Sequence, residues 1–178
     1  MPEAATLEPE WHRPAANPEI VALLSENPDG ILEQIADRHA VSTFDVVNAL
    51  AEDHAAIVSS SSFEAVFQDL TGWGDVMMIV HTPNIVLECK GPIPPGSFGR
   101  GYFNIHGDSP IGGHIKAERC RHIAFVSRPF MGRPSCSIQF FDEDGHAMFK
   151  IFVGRDEERN LRPDQVERFE SLRQTLCG

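Results

Sequence analysis

From Asp75 to Val153 the chain is a succession of short apolar or alternating runs, each cut off by Gly, Pro, Asn or Asp. That punctuation predicts strands rather than long helices. In MMIVHTPNIVLECKG, residues 77–91, two apolar runs meet at a Thr82-Pro83-Asn84 corner, the pattern of a strand pair. FFDEDGHAMF is a second pair, with Asp144-Gly145 at its turn. Strands are predicted near 75–81, 84–91, 100–106, 111–116, 121–128, 135–141 and 146–153, after a short helix FEAVFQDL and before a closing helix from 163 to about 175. In that last helix Pro163 sits in the first turn, which tolerates it, and Val166, Phe169, Leu172 and Leu176 recur at helical spacing.

Upstream the period changes. EIVALLSEN and ILEQIADRH are separated by Pro28-Asp29-Gly30, with Ile31, Leu32, Ile35 and Ala36 along one face, and Ser42 with Asp45 forms a capping box ahead of a third short helix. Three helices joined by turns outline a helix-turn-helix, but TFDVVNAL offers Asn48 and no Lys or Arg to phosphates or base edges. The formal charge of −11, from 26 acidic and 15 basic residues, also opposes a phosphate backbone. No nucleic-acid partner is expected. The fold class expected is α+β: an antiparallel sheet with an N-terminal three-helix block and a C-terminal helix. Length suits one domain over 18–178, helical over 18–55 and a sheet region with its terminal helix over 63–178. Residues 1–17, with Pro2, Pro9 and Pro14, read as a flexible extension that Trp11 and His12 would anchor. The N-terminus lacks the basic start and apolar stretch of a secretory signal, and no apolar run reaches the roughly 20 residues of a spanning helix. A cytoplasmic protein without membrane insertion is expected.

Strand phase decides which side chains share a face. Met77, Ile79 and His81 alternate with Val76, Met78 and Val80. In GRGYFNIHG, Arg100, Tyr102 and Asn104 fall on one side while Phe103 and Ile105 take the other, and in GGHIKAERC two glycines precede His114, with Lys116 on the same side. The hydrolase elbow, phosphate loop, zinc-protease helix and haem-attachment motifs are all missing, and Cys89, Cys120, Cys136 and Cys177 form no C-x-x-C pair. His106, His114 and His122 recur without the carboxylate or cysteine spacing of a metal cluster, and DEDG reads as a solvated turn. The pieces suit a flat apolar ligand with an acidic edge: Met, Ile and Phe for its faces, Lys or Arg for its carboxylates, His or Tyr for a central metal. Haem has those features. On local pattern His81 is either such a ligand or a turn residue bonding the Thr82-Pro83 corner.

Several stretches resemble the intracellular haem-utilisation carriers of the HutX/ChuX type: PDGILEQIADRHAVSTFDVVNAL, WGDVMMIVHT, NIVLECKG, GRGYFNIHG, GGHIKAERCRHIAFVSRPFMG, SIQFFDEDGHAMFKIFVGRDEERNL and the terminal helix. They run in the same order from about 27 to 176, leaving residues 1–17 outside. The resemblance implies a cytosolic homodimer of split-barrel type, related to the repeats of larger haem-handling proteins. Haem would be its cargo, received from import and stored or passed to a haem-degrading partner. The family's haem histidines correspond to His81 in IVHT and His114 in GGHIKAE, and the tyrosine that ligates iron in some members corresponds to Tyr102. Arg100 would favour the phenolate of Tyr102, and Lys116 completes the expected haem-binding set. The alternative is a haem-degrading or flavin-dependent enzyme on the same scaffold.

Overall fold

The computed structural model describes residues 11–178. It begins with three short helices, α1 (Pro18–Glu26), α2 (Leu32–His39) and α3 (Thr43–Asn48). Each boundary has a local cause. Asn17 accepts a hydrogen bond from the Glu19 N–H and Pro18 opens α1, α2 stops where Ala40 turns left-handed at φ 52°, and Ser42 and Asp45 cap α3 reciprocally. Next come β1 (Ala55–Ser59) and α4 (Phe63–Leu70), then the strands β2 (Asp75–His81), β3 (Val86–Pro92), β4 (Gly96–Gly99), β5 (Tyr102–Ile105), β6 (Gly113–Ile115), β7 (Cys120–Phe130), β8 (Arg133–Asp142) and β9 (Ala147–Phe152). Helix α5 (Pro163–Cys177) closes the chain.

Six strands form an antiparallel sheet in the order β1-β7-β8-β9-β2-β3, and β4-β5-β6 form a separate three-stranded ribbon. Alternation gives the large sheet two different faces. One carries Val58, Phe125, Ile138, Phe140 and Ile151, buried against α4, α5 and the ribbon residues Phe103, Ile105 and Ile115. At its centre Phe63, Phe67, Phe103, Phe140 and Phe149 stack or meet edge to face. Each such ring contributes roughly 1.5–3 kcal/mol by leaving water. The other face carries Ala55, Ile57, Ala124, Val126 and Phe141, which pack on Ile20, Leu32, Ile35 and Val47 of the helical block. That block covers the β1–β7 side. Much of the second face, across β8, β9, β2 and β3, is left open as a groove.

The α+β class, the helical block, the closing helix and both anticipated hairpins are present. Three details differ from the sequence reading. β1 and β4 were not anticipated. Arg100, expected on a strand, sits in the β4–β5 turn at φ 54°, which takes it out of phase with Tyr102 and Asn104. The first ten residues of the expected 1–17 extension lie outside the described residues. Beyond them the Trp11 ring lies 6.2 Å from that of His122, and Arg13, which was not anticipated, ties the segment down: its guanidinium donates to Asn48 Oδ1 and to the carbonyls of Asn48, Leu50 and Ala55.

Candidate functional site

The groove encloses about 520 Å³, within the range of small-molecule sites. Its floor is the open sheet face, so strand phase selects its side chains: Met77, Ile79 and His81 from β2, Val86 from β3, Phe152 from β9. Their neighbours Met78 and Val80 point through to the opposite core. The start of α2 overhangs the groove with Ile31, Leu32 and Glu33.

His81 stands where alternation placed it, at the end of an apolar face. The corner after it is closed by Thr82, whose N–H donates to the Ile85 carbonyl at 2.9 Å and whose hydroxyl accepts from the N–H groups of Asn84 and Ile85. His81 is thereby spared that duty. Its Nδ1 lies 3.4 Å from Glu33 Oε1, and the same oxygen accepts a hydrogen bond from Lys150 Nζ. Burial pushes the Glu33 carboxyl pKa up, but the charge and hydrogen bond of Lys150, aided by His81, more than offset this, so it falls below its ordinary value. A carboxylate facing Nδ1 favours the proton on that nitrogen and leaves the lone pair on Nε2. Sequence reasoning missed Glu33 and Lys150. The one visible sign was a lysine inside the apolar run AMFKIF.

Tyr102, His114 and Lys116 are gathered elsewhere. Tyr102 and His114 lie on the ribbon, whose Phe103 and Ile105 point into the core, so Tyr102 and Asn104 face outward. There His114 Nδ1 is 2.6 Å from Asn104 Oδ1, the rings of Tyr102 and His114 are 5.8 Å apart, and Lys116 Nζ lies 4.3 Å from the centre of the Tyr102 ring. Arg100 joins none of the hydrogen bonds or ion pairs among the described residues. The ribbon packs under the first face of the large sheet while His81 projects from the second. One chain therefore holds two separate candidate clusters, an enclosed one around His81 and an exposed one around Tyr102 and His114. The acidic hairpin is a third grouping: Asp142 caps its own turn by accepting from the N–H groups of Asp144 and His146.

Residues 56–172 match the model of the family described as haem utilisation ChuX/HutX. The chain belongs to that family. The intracellular heme transport protein HutX of Vibrio cholerae serotype O1 is 40% identical over 157 residues, spanning 88% of this chain and 81% of that protein. Among solved structures, a protein from Erwinia carotovora is similar with a TM-score of 0.86 and 43% identity over 88% of this chain and 98% of its own. The heme binding protein ChuX is similar with a TM-score of 0.82 and 39% identity over 88% and 98%. The family match covers every groove strand and the whole ribbon, but begins after Glu33.

Proposed function

We propose that this protein is an intracellular haem carrier that receives haem, holds it in the groove and yields it to an acceptor. Family membership supports this, as do the relatives named for intracellular heme transport and for heme binding. The observation that carries it is the uncovered sheet face. A flat macrocycle laid there meets Met77, Ile79, Val86 and Phe152, and burying apolar surface in this way is favourable at about 25 cal/mol per Å². His81 Nε2 supplies a nitrogen ligand to iron. A single protein ligand leaves the other axial position exchangeable, which suits a cargo that must leave. No helix among the described residues is long and apolar enough to cross a membrane.

On this reading the carrier works as a homodimer and delivers to a haem-degrading enzyme. The family resemblance suggests both, and the exposed Ile85, just before the edge strand β3, and Leu87 on it offer an apolar surface for a second chain.

Haemin titration of the purified protein tests the core of the proposal. One haem per chain and a saturable Soret shift are expected, with affinity lowered roughly tenfold or more in His81→Ala. An unchanged titration in His81→Ala would move the site to the ribbon, to be checked with His114→Ala and Tyr102→Phe. Haem recovered intact after incubation with reductant and oxygen fits carriage. Stoichiometric conversion to a biliverdin-type product would make the protein an enzyme instead.

A further inference from the structure

We propose that Arg128 and Ser135 form a carboxylate-recognition corner in the groove, taking a propionate of the bound haem. This inference rests on the groove reading above. Arg128 lies on β7, only 7% exposed, and lines the groove. Its Nη2 donates to the carbonyls of Pro28 and Gly30 at 2.6 and 2.7 Å. These bonds fix the guanidinium in place and leave its other donors unused: Nε is buried without a partner, and Nη1 enters none of the hydrogen bonds among the described residues.

An arginine in such a position ordinarily has a carboxylate beside it. Neither of the two nearby anions pairs with it. Asp29 accepts from the Gly132 N–H through Oδ2 at 2.7 Å while its buried Oδ1 has no hydrogen-bond partner, and Glu33 is held by Lys150. None of the ion pairs among the described residues includes Arg128. Burial lowers its pKa, with Asp29 and Glu33 offsetting part of the effect, so an incoming anion is stabilising.

The surroundings are polar in the same sense. Ser135 is the register partner of Arg128 across β7 and β8, and Ser137 and Gln139 continue the row, all three buried and all facing the groove. Gln139 Oε1 has no partner. Unmet polar groups on the floor of an otherwise apolar groove cost free energy unless a ligand answers them. Charge agrees as well. The groove is lined by four cations, Lys90, Arg128, Lys150 and Arg155, against Glu33 and Glu88, in a chain whose formal charge is −11. A guanidinium already braced by two carbonyls loses little entropy on binding a carboxylate, and its planar fork suits that group.

The test compares haemin with haemin dimethyl ester, which lacks the carboxylates, on wild type, Arg128→Gln and Met77→Trp. Because Arg128 also braces the loop before α2, a loosened fold would weaken both ligands alike. The readout is therefore the preference between them. Wild type should favour haemin by about tenfold or more, the usual worth of a charge-assisted hydrogen bond, and that preference should vanish in Arg128→Gln. Met77→Trp, which fills the groove, should abolish binding of both. A preference that survives in Arg128→Gln while Met77→Trp blocks binding overturns the corner alone. Wild-type haemin binding in Met77→Trp overturns the groove reading and the corner with it.

Discussion

Lys150 lies in AMFKIF, 5% exposed, where strand phase asks for an apolar side chain. Glu33 reaches it from the first turn of α2, so one ion pair joins the helical block to the open sheet and also touches His81. A buried pair of this kind adds little over two apolar residues, but removing one partner strands the other. Lys150→Met is expected to lower stability by about 3 kcal/mol in urea unfolding at neutral pH, and adding Glu33→Leu should restore most of it. The pH dependence has a definite sign. The folded Glu33 pKa is lowered, so its stabilisation is fully present above the ordinary value of 4.5 and is lost as pH falls below that, through the folded value. The penalty of Lys150→Met should therefore be largest above 4.5 and shrink in acid. A penalty independent of pH would mean that Lys150 acts through packing alone.

Besides the apolar packing of Phe169 and Leu172, one polar side chain fastens helix α5. Gln165 is fully buried, its Oε1 accepts from the Gly154 N–H at 2.6 Å, and its Nε2 donates to the carbonyls of Trp73 and Asp75 at 2.9 and 2.8 Å. The amide thus joins the helix to the start of β2 and the end of β9. Gln165→Leu would leave three backbone groups unanswered, and a loss of about 3–5 kcal/mol is expected from thermal or denaturant unfolding. At this scale much was legible in the sequence. The β2–β3 pair, the strands from β5 onward, the capping box and the Asp144-Gly145 turn follow from local alternation and turn chemistry. β1 escaped notice because AAIVS is short and adjoins a helical block. β4 escaped because GSFG offers a single apolar residue, and Gly96 is small there for a tertiary reason, the Phe103 ring lying against its backbone. The site was less legible. Strand phase put His81 at the end of an apolar face and left ligand and turn residue open, the family resemblance made it a candidate ligand, and Glu33 meets Lys150 across 117 positions and Arg128 meets Pro28 across 100, beyond any local pattern.

The layering of the whole molecule separates the nominated iron ligands. His81 opens onto one face of the six-stranded sheet, and the ribbon bearing Tyr102 and His114 is stacked beneath the other, with its polar side outward. A haem in the groove can take His81 but not Tyr102 from its own chain, however strongly a phenolate suits ferric iron. With haem limited to one per chain, Tyr102→Phe should therefore leave the Soret band and the electron paramagnetic resonance of the complex unchanged, while His81→Ala alters both. The contrary result has its own structural content. If each substitution alone abolishes the native spectrum, the two ligands must come from different chains. Unfolding His81→Ala and Tyr102→Phe subunits together and refolding them would then restore native haem sites, because a mixed pair carries one intact combination. Within a single chain no such complementation can occur, so unmixed and mixed samples should give the same spectra if the groove of each subunit is self-sufficient.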